Sequence, residues 1–198
     1  MPLTKVQIIS QSLTLMGKKP IQNLLNQSDI VTAADQAFDM LLPSVLSTGF
    51  WRFATRIQML SQVLPAPIGG YWTFAYQLPP DYLKLVHLWP HNYDYEMYEN
   101  HLMYSNFNNQ FSPLFIEYIF APLVQTLPSY FTLYFIYELA CYLSLSSAQN
   151  IGYYQILEPK RMGQLGIALA ADAQNRPQTP LQSQPILSRR YISTFASG

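Results

Sequence analysis

Apolar positions recur along this chain with two different periods. In the first stretch Val6, Ile9, Leu13 and Met16 fall on one side of a 3.6-residue helix. Thr4 stands three residues before Gln7, the spacing of a capping box, and Gly17 with Pro20 predicts the end of the element. A second helix is expected behind Asp29 as its N-cap. There Ile30, Ala33, Ala34, Ala37, Phe38, Leu41 and Leu42 repeat at i, i+3, i+4 and i+7, opposite Asp35, Gln36 and Asp39. Pro43 is expected to kink or end this helix, and Gly49 to close the segment.

The period then shortens. Phe50 to Leu60 leads into a strand, and the loop 65–70, rich in proline and glycine, delivers the chain to its central stretch, Gly69 to Pro90. Here Trp72, Phe74, Tyr76 and Leu78 alternate with Tyr71, Thr73, Ala75 and Gln77, a strand with one greasy face. The reading places Phe74 inside. Pro79-Pro80-Asp81 stops that strand, and a second apolar run, Tyr82 to Trp89, is expected to pair with it as a hairpin. A further hairpin is expected over 95–104, turning at Glu99-Asn100. Another strand is expected over 114–120, with loop chemistry at 105–112 between them.

Helical sequence returns with Ser129 as a cap for an apolar helix from Tyr130 to about Ser147. A last helix should run from about Tyr153 to Ala173, with Pro159, Gly163 and Gly166 as weak points. After Asn175 the composition turns to Pro, Gln and Ser, which cannot bury enough surface to fold alone. The first half of this tail should be extended, since proline and its predecessor avoid helical angles.

Composition changes the picture in one respect. Charged residues are 11% of the 198, against about a quarter in ordinary globular chains, while aromatics reach 15% with 15 tyrosines. Few charges and many tyrosines suit a surface covered by neighbours. The net charge of zero gives no overall pull on nucleic acid. It conceals an asymmetry: between Lys84 and Lys160 the charges are all acidic, namely Asp94, Glu96, Glu99, Glu117, Glu138 and Glu158. The end carries Lys160, Arg161, Arg176, Arg189 and Arg190 against Asp172 alone. This is either scatter in a charge-poor chain or an acidic middle and basic end that face each other across subunits.

Candidate chemistry is sparse. Cys141, the single cysteine, lies within an apolar run and reads as a small buried hydrophobe. His87, His91 and His101 have a loose resemblance to metal-ligand spacing, but strand and turn context sets them apart. There is no Gly-x-Ser-x-Gly and no phosphate-binding glycine loop, so no enzyme, cofactor or metal is expected. The basic clusters Lys18-Lys19, Lys160-Arg161 and Arg189-Arg190 are too short for a nucleic-acid reader. The start, Met1 to Lys5, lacks the features of a secretory signal, and the chain is expected to stay inside the cell that makes it. One alternative stays open: a small membrane-associated protein with one span at about 130–147. Against it, Glu138 at mid-span would cost about 2.5–3.5 kcal/mol on insertion scales.

Taken in order, several segments resemble a family. Leu13 to Ile21, with Met16-Gly17 and Pro20, is similar to the opening of the head-to-tail adaptors of short-tailed phages, the tail tubular protein A family. Gly49 to Arg56 resembles that family's Gly-Trp-x-Phe segment, here with Phe50 as an extra aromatic. Tyr76-Gln77-Leu78-Pro79-Pro80-Asp81-Tyr82-Leu83 is similar to its Tyr-x-Leu-Pro-x-Asp signature. Residues 95–104 take the place of its short hairpin, and Leu169 to Gln174 resembles the end of its last helix. The third helix is richer in Tyr and Phe than the family pattern, and the tail beyond 176 matches no motif.

The resemblance implies a helix-dominated α+β fold. Residues 1–50 and 128–175 would form a helical bundle and 51–127 a β-rich insertion; residues 176–198 read, from their own composition, as an extended C-terminal docking arm. It implies a structural virion protein of the neck, assembled in the host cytoplasm, forming a homo-oligomeric ring of about twelve copies. That ring would join the portal protein to the tail nozzle protein and line the DNA exit channel, with DNA passing through without sequence-specific binding. In the arm, Ile186, Leu187, Tyr191 and Phe195 are expected as anchors on the portal, with Arg189 and Arg190 pairing to acidic groups there. The arm folding back on its own helices is the alternative.

Overall fold

Helix α1 (Lys5–Leu15) starts with the expected capping box: the Thr4 hydroxyl accepts from the Gln7 amide, and the Gln7 side chain accepts from the Thr4 amide. It ends where Gly17 takes a φ of 71°. Any side chain there would be strained and would also meet the Tyr153 hydroxyl. A computed structural model describes residues 3–25, 28–63, 71–90, 93–98, 102–108, 113–145 and 151–175.

The described chain is mixed, 51% helical and 22% strand, which makes helix the larger share. Helix α2 (Asp29–Thr48) buries Val31, Ala34, Ala37, Phe38, Leu42, Val45 and Leu46. Ser28, not Asp29, is its N-cap residue, and it makes no side-chain capping bond. Pro43 does not end this helix, which continues to Thr48. The ring removes one amide donor, but Val45 and Leu46 beyond it are anchored in the core, and that burial outweighs the loss.

A 3₁₀ turn (Arg52–Ala54) leads into seven strands: β1 (Thr55–Met59), β2 (Ser61–Val63), β3 (Phe74–Gln77), β4 (Tyr82–Trp89), β5 (Tyr95–Tyr98), β6 (Leu102–Ser105) and β7 (Phe115–Phe120). They form two antiparallel sheets, ordered β1-β7-β4 and β2-β3-β6-β5. The expected hairpin of β3 with β4 is therefore absent. Pro79-Pro80-Asp81 carries the chain from one sheet to the other, closed by a turn bond from the Tyr82 amide to the Pro79 carbonyl. Two residues without amide donors suit a crossing better than a ladder. Strands β5 and β6 pair antiparallel as expected, with Tyr98 opposite Leu102; the expected turn at Glu99-Asn100 lies outside the described residues.

Strand β7 separates two cores. Ile119, on one face, joins the helical core; Ile116 and Tyr118, on the other, join a smaller core between the sheets with Leu60, Tyr76, Leu78 and Met103. Phe74 is not fully buried, contrary to the expectation; Tyr76 is, and its hydroxyl donates to the Phe107 carbonyl. Ala75 on the opposite face is buried as well.

A second 3₁₀ turn (Val124–Thr126) precedes α3 (Ser129–Leu145), which packs against α1, α2 and α4 (Ile151–Ala173). That central position explains a helix apolar nearly all round. Among the described residues no helix is long and apolar enough to cross a membrane. Glu138, the acid within α3, is bonded to Arg161 of α4 at 2.8 Å. Helix α4 runs unbroken through Pro159, Gly163 and Gly166.

Tyr76→Ala is expected to cost about 3–5 kcal/mol in urea denaturation. Phe74→Ala should cost clearly less, since its ring is only partly covered. Equal losses at the two positions would show that the inter-sheet core is misplaced.

Candidate functional site

The six anchors expected in the arm, Ile186, Leu187, Arg189, Arg190, Tyr191 and Phe195, lie outside the described residues, as do His91 and His101. The structure does show how helix α4, which ends just before these residues, is held. Helix α4 buries Leu157, Arg161 in part, Leu165 in part, Ala168 and Asp172, one stripe at steps of three and four. Asp172 is only 1% exposed. Its carboxylate accepts the amides of Arg52 (2.5 Å) and Phe53 (3.2 Å) and the Tyr130 hydroxyl (2.9 Å). Asn175 donates its side-chain amide to that same hydroxyl at 3.1 Å, and its backbone amide to the Asp172 carbonyl.

The first amides of a short helical turn lack partners, so a carboxylate is well placed there. One buried acid thus joins the end of α4, the start of α3 and the turn that opens the β region. Burial, reinforced by the neighbouring carboxylate, pushes the Tyr130 phenol up to about 12.

A second polar cluster sits further along α3 and α4. Arg161 donates to Glu138 (2.8 Å) and to both oxygens of Glu158 (2.7 and 2.8 Å), and the Tyr134 hydroxyl donates to Glu138 (2.8 Å). The hydrogen bond to Glu158, then that to Glu138, hold the guanidinium charged. Of the charges that read either as scatter or as contacts across subunits, Arg161, Glu138 and Glu158 are paired within the chain. Cys141 is buried, and burial pushes its thiol up to about 11, so it stays protonated and unreactive at neutral pH. His87 is exposed on β4 beside the Trp89 ring. No group of three or more potential metal ligands occurs among the described residues.

Two open surfaces involve α4. A groove of about 490 Å³ is lined by Phe50, Arg52, Phe53, Thr55, Ile57, Glu117 and Asn175, so the chain leaves α4 on its wall. The outer face of α4 carries exposed Ile156, Met162, Ile167 and Leu169. Along it Gly152, Gly163 and Gly166 face open space, with no atom within 4 Å of where a Cβ would stand, which leaves the face smooth. Lys160 is its one exposed charge among the described residues of α4, since Arg161 and Glu158 pair and Asp172 is buried.

Asp172 and Arg161 were each within reach of sequence reasoning, because both fall on the buried stripe of α4. A charge at such a position needs a partner on a neighbouring element. Which partner it takes depends on the packing. Comparison with known protein families and with curated proteins finds no match to this chain.

Asp172→Ala should cost about 3–5 kcal/mol, since two amides and a phenol lose their acceptor together. Asp172→Asn should cost less, its amide oxygen still accepting one bond. The alkaline limb provides an independent check. Tyr130 releases its proton near its ordinary value of 10.0 when unfolded and near 12 when folded, so its contribution is full below pH 10 and is lost as pH rises to about 12. Tyr130→Phe should flatten the fall in stability over that range, and an unchanged slope would place Tyr130 away from the carboxylate.

Proposed function

We propose that this protein is a structural virion component, the head-to-tail adaptor ring between a phage portal and the tail nozzle. The observation that carries the reading is the outer face of α4, a long, smooth, apolar surface with one exposed charge. A monomer has little reason to present such a face to water, and a subunit packed against neighbours has every reason.

Three of the resembling segments lend support because they coincide with structural joints. Gly17 ends α1 with a positive φ. A side chain at Gly49 would collide with the Trp51 indole, which is buried and donates to the Val45 carbonyl at 3.1 Å. Asp81 accepts from Arg56 (2.9 Å) and from the Tyr118 hydroxyl (3.0 Å), fixing the crossing between sheets. In this reading the helices form one bundle, 51–127 is an insertion into it, and 176–198 is an arm that docks on the portal. The ring has about twelve copies by analogy with the family, and DNA passes through its lumen without being read. Catalysis has no place in the proposal. The work done is assembly.

Purified virions provide the test: the chain should be present in a fixed ratio to portal, and its absence from particles would overturn the proposal. For the arm, a chain ending at residue 180 is expected to keep the helical and strand signature of the full protein in circular dichroism. It should bind portal at least about tenfold more weakly, as the loss of several buried anchors implies. Undiminished binding would mean that another surface holds the portal.

A further inference from the structure

The helix-facing side of the β1–β7 ladder is covered at one end and bare at the other. Thr55 lies opposite Ile119, which is fully buried under the helices. One row further Ile57 lies opposite Glu117, and beyond that Met59 lies opposite Phe115. Ile57 is 62% and Met59 56% exposed. Asn175, just beyond the end of α4, stands on the wall of the groove that contains Ile57 and Glu117. β1 is also the outer strand of its sheet, with β7 its only strand neighbour among the described residues. Glu117 has no ion-pair partner among them either.

The next residues in the chain are Arg176-Pro177-Gln178-Thr179-Pro180-Leu181. We infer that this segment seats in the groove of its own subunit, with Arg176 against Glu117 and Leu181 over Ile57 and Met59. Length permits it: six extended residues reach about 20 Å, and the two open rows span about 13 Å. Charge is compatible with it: Arg52 also lines the groove, but Glu117, its one carboxylate, forms no ion pair among the described residues, and Arg176 follows directly on Asn175. Pro177 and Pro180 are compatible with a position along a sheet edge, where missing amide donors cost little. The extended, proline-restricted segment then fixes the direction in which the rest of the arm departs. This seating holds whether or not the arm reaches a portal.

The test uses the full chain with p-benzoylphenylalanine in place of Leu181, prepared as an equal mixture of isotopically light and heavy copies. On irradiation, light-to-light and heavy-to-heavy crosslinks to the peptide containing Ile57 and Met59 are expected. Mixed crosslinks to that peptide would assign the groove to a second copy's segment and overturn the seating in cis. Crosslinks elsewhere, or none, would overturn it outright. In the same background Glu117→Arg should reduce the yield about fivefold, in line with exchanging an exposed attraction for a repulsion. Adding Arg176→Glu should restore it. Failure of the charge exchange to restore the yield would remove the Arg176–Glu117 pairing from the proposal.

Discussion

The buried carboxylate of Asp172 holds together three parts of the chain that are distant in sequence. It receives the two backbone amides that open the 3₁₀ turn and the phenol that begins α3. Hydrogen bonds to an ionised acceptor are worth about 1.5–3 kcal/mol each, and they are cheap here because the amides would otherwise be orphaned at a turn. With the turn held, Trp51 drops into the helical core, edge-on to Phe131 at 4.8 Å and stacked on Tyr134 at 5.9 Å. Phe53 packs beside them, 4.9 Å from Phe131. Such aromatic pairs contribute about 0.5–1.5 kcal/mol beyond their burial. The β region is thus attached to the helices through a fixed joint, and the same joint sets where the C-terminal segment begins.

From that joint the strand alternation of β7 does the rest. One face closes the helical core through Ile119, the other closes the inter-sheet core through Ile116 and Tyr118. Arg56, Asp81 and Tyr118 then pin the proline-rich crossing between the sheets. Among the surfaces this arrangement leaves uncovered are the outer face of α4 and the open rows of β1. Both adjoin the departing C-terminal segment or the helix that precedes it. An assembly protein needs such surfaces, and the aromatic-rich, charge-poor composition anticipates them.

The helices were legible because periodicity reports burial directly. The capping box at Thr4 and the stripe through Ala34, Ala37, Phe38 and Leu42 could be read residue by residue. Strands could be located, but apart from the short β5–β6 hairpin not paired, since alternation says which face is apolar and nothing about which strand lies alongside. That is why β3 and β4 read as a hairpin and are found in different sheets. Phe74 and Tyr76 share a parity, so the pattern could not decide which of them lies deeper. Pro43 read as a stop because its local penalty is visible in sequence, whereas the anchoring of Val45 and Leu46 beyond it is tertiary. The buried stripe of α4 marked Asp172 and Arg161 as charges in need of partners, but apart from Glu158 on the same helix those partners come from α3 and the turn at Arg52, far away in the chain.

The proposed role makes the outer face of α4 and the C-terminal arm the means of assembly. Native mass spectrometry of the full chain, alone and mixed with portal rings, bears on that role most directly. The account predicts a discrete complex in which about twelve copies sit on one portal ring, with no intermediate stoichiometry dominating at saturation. A chain that stays monomeric at every concentration and leaves the portal mass unchanged would contradict it.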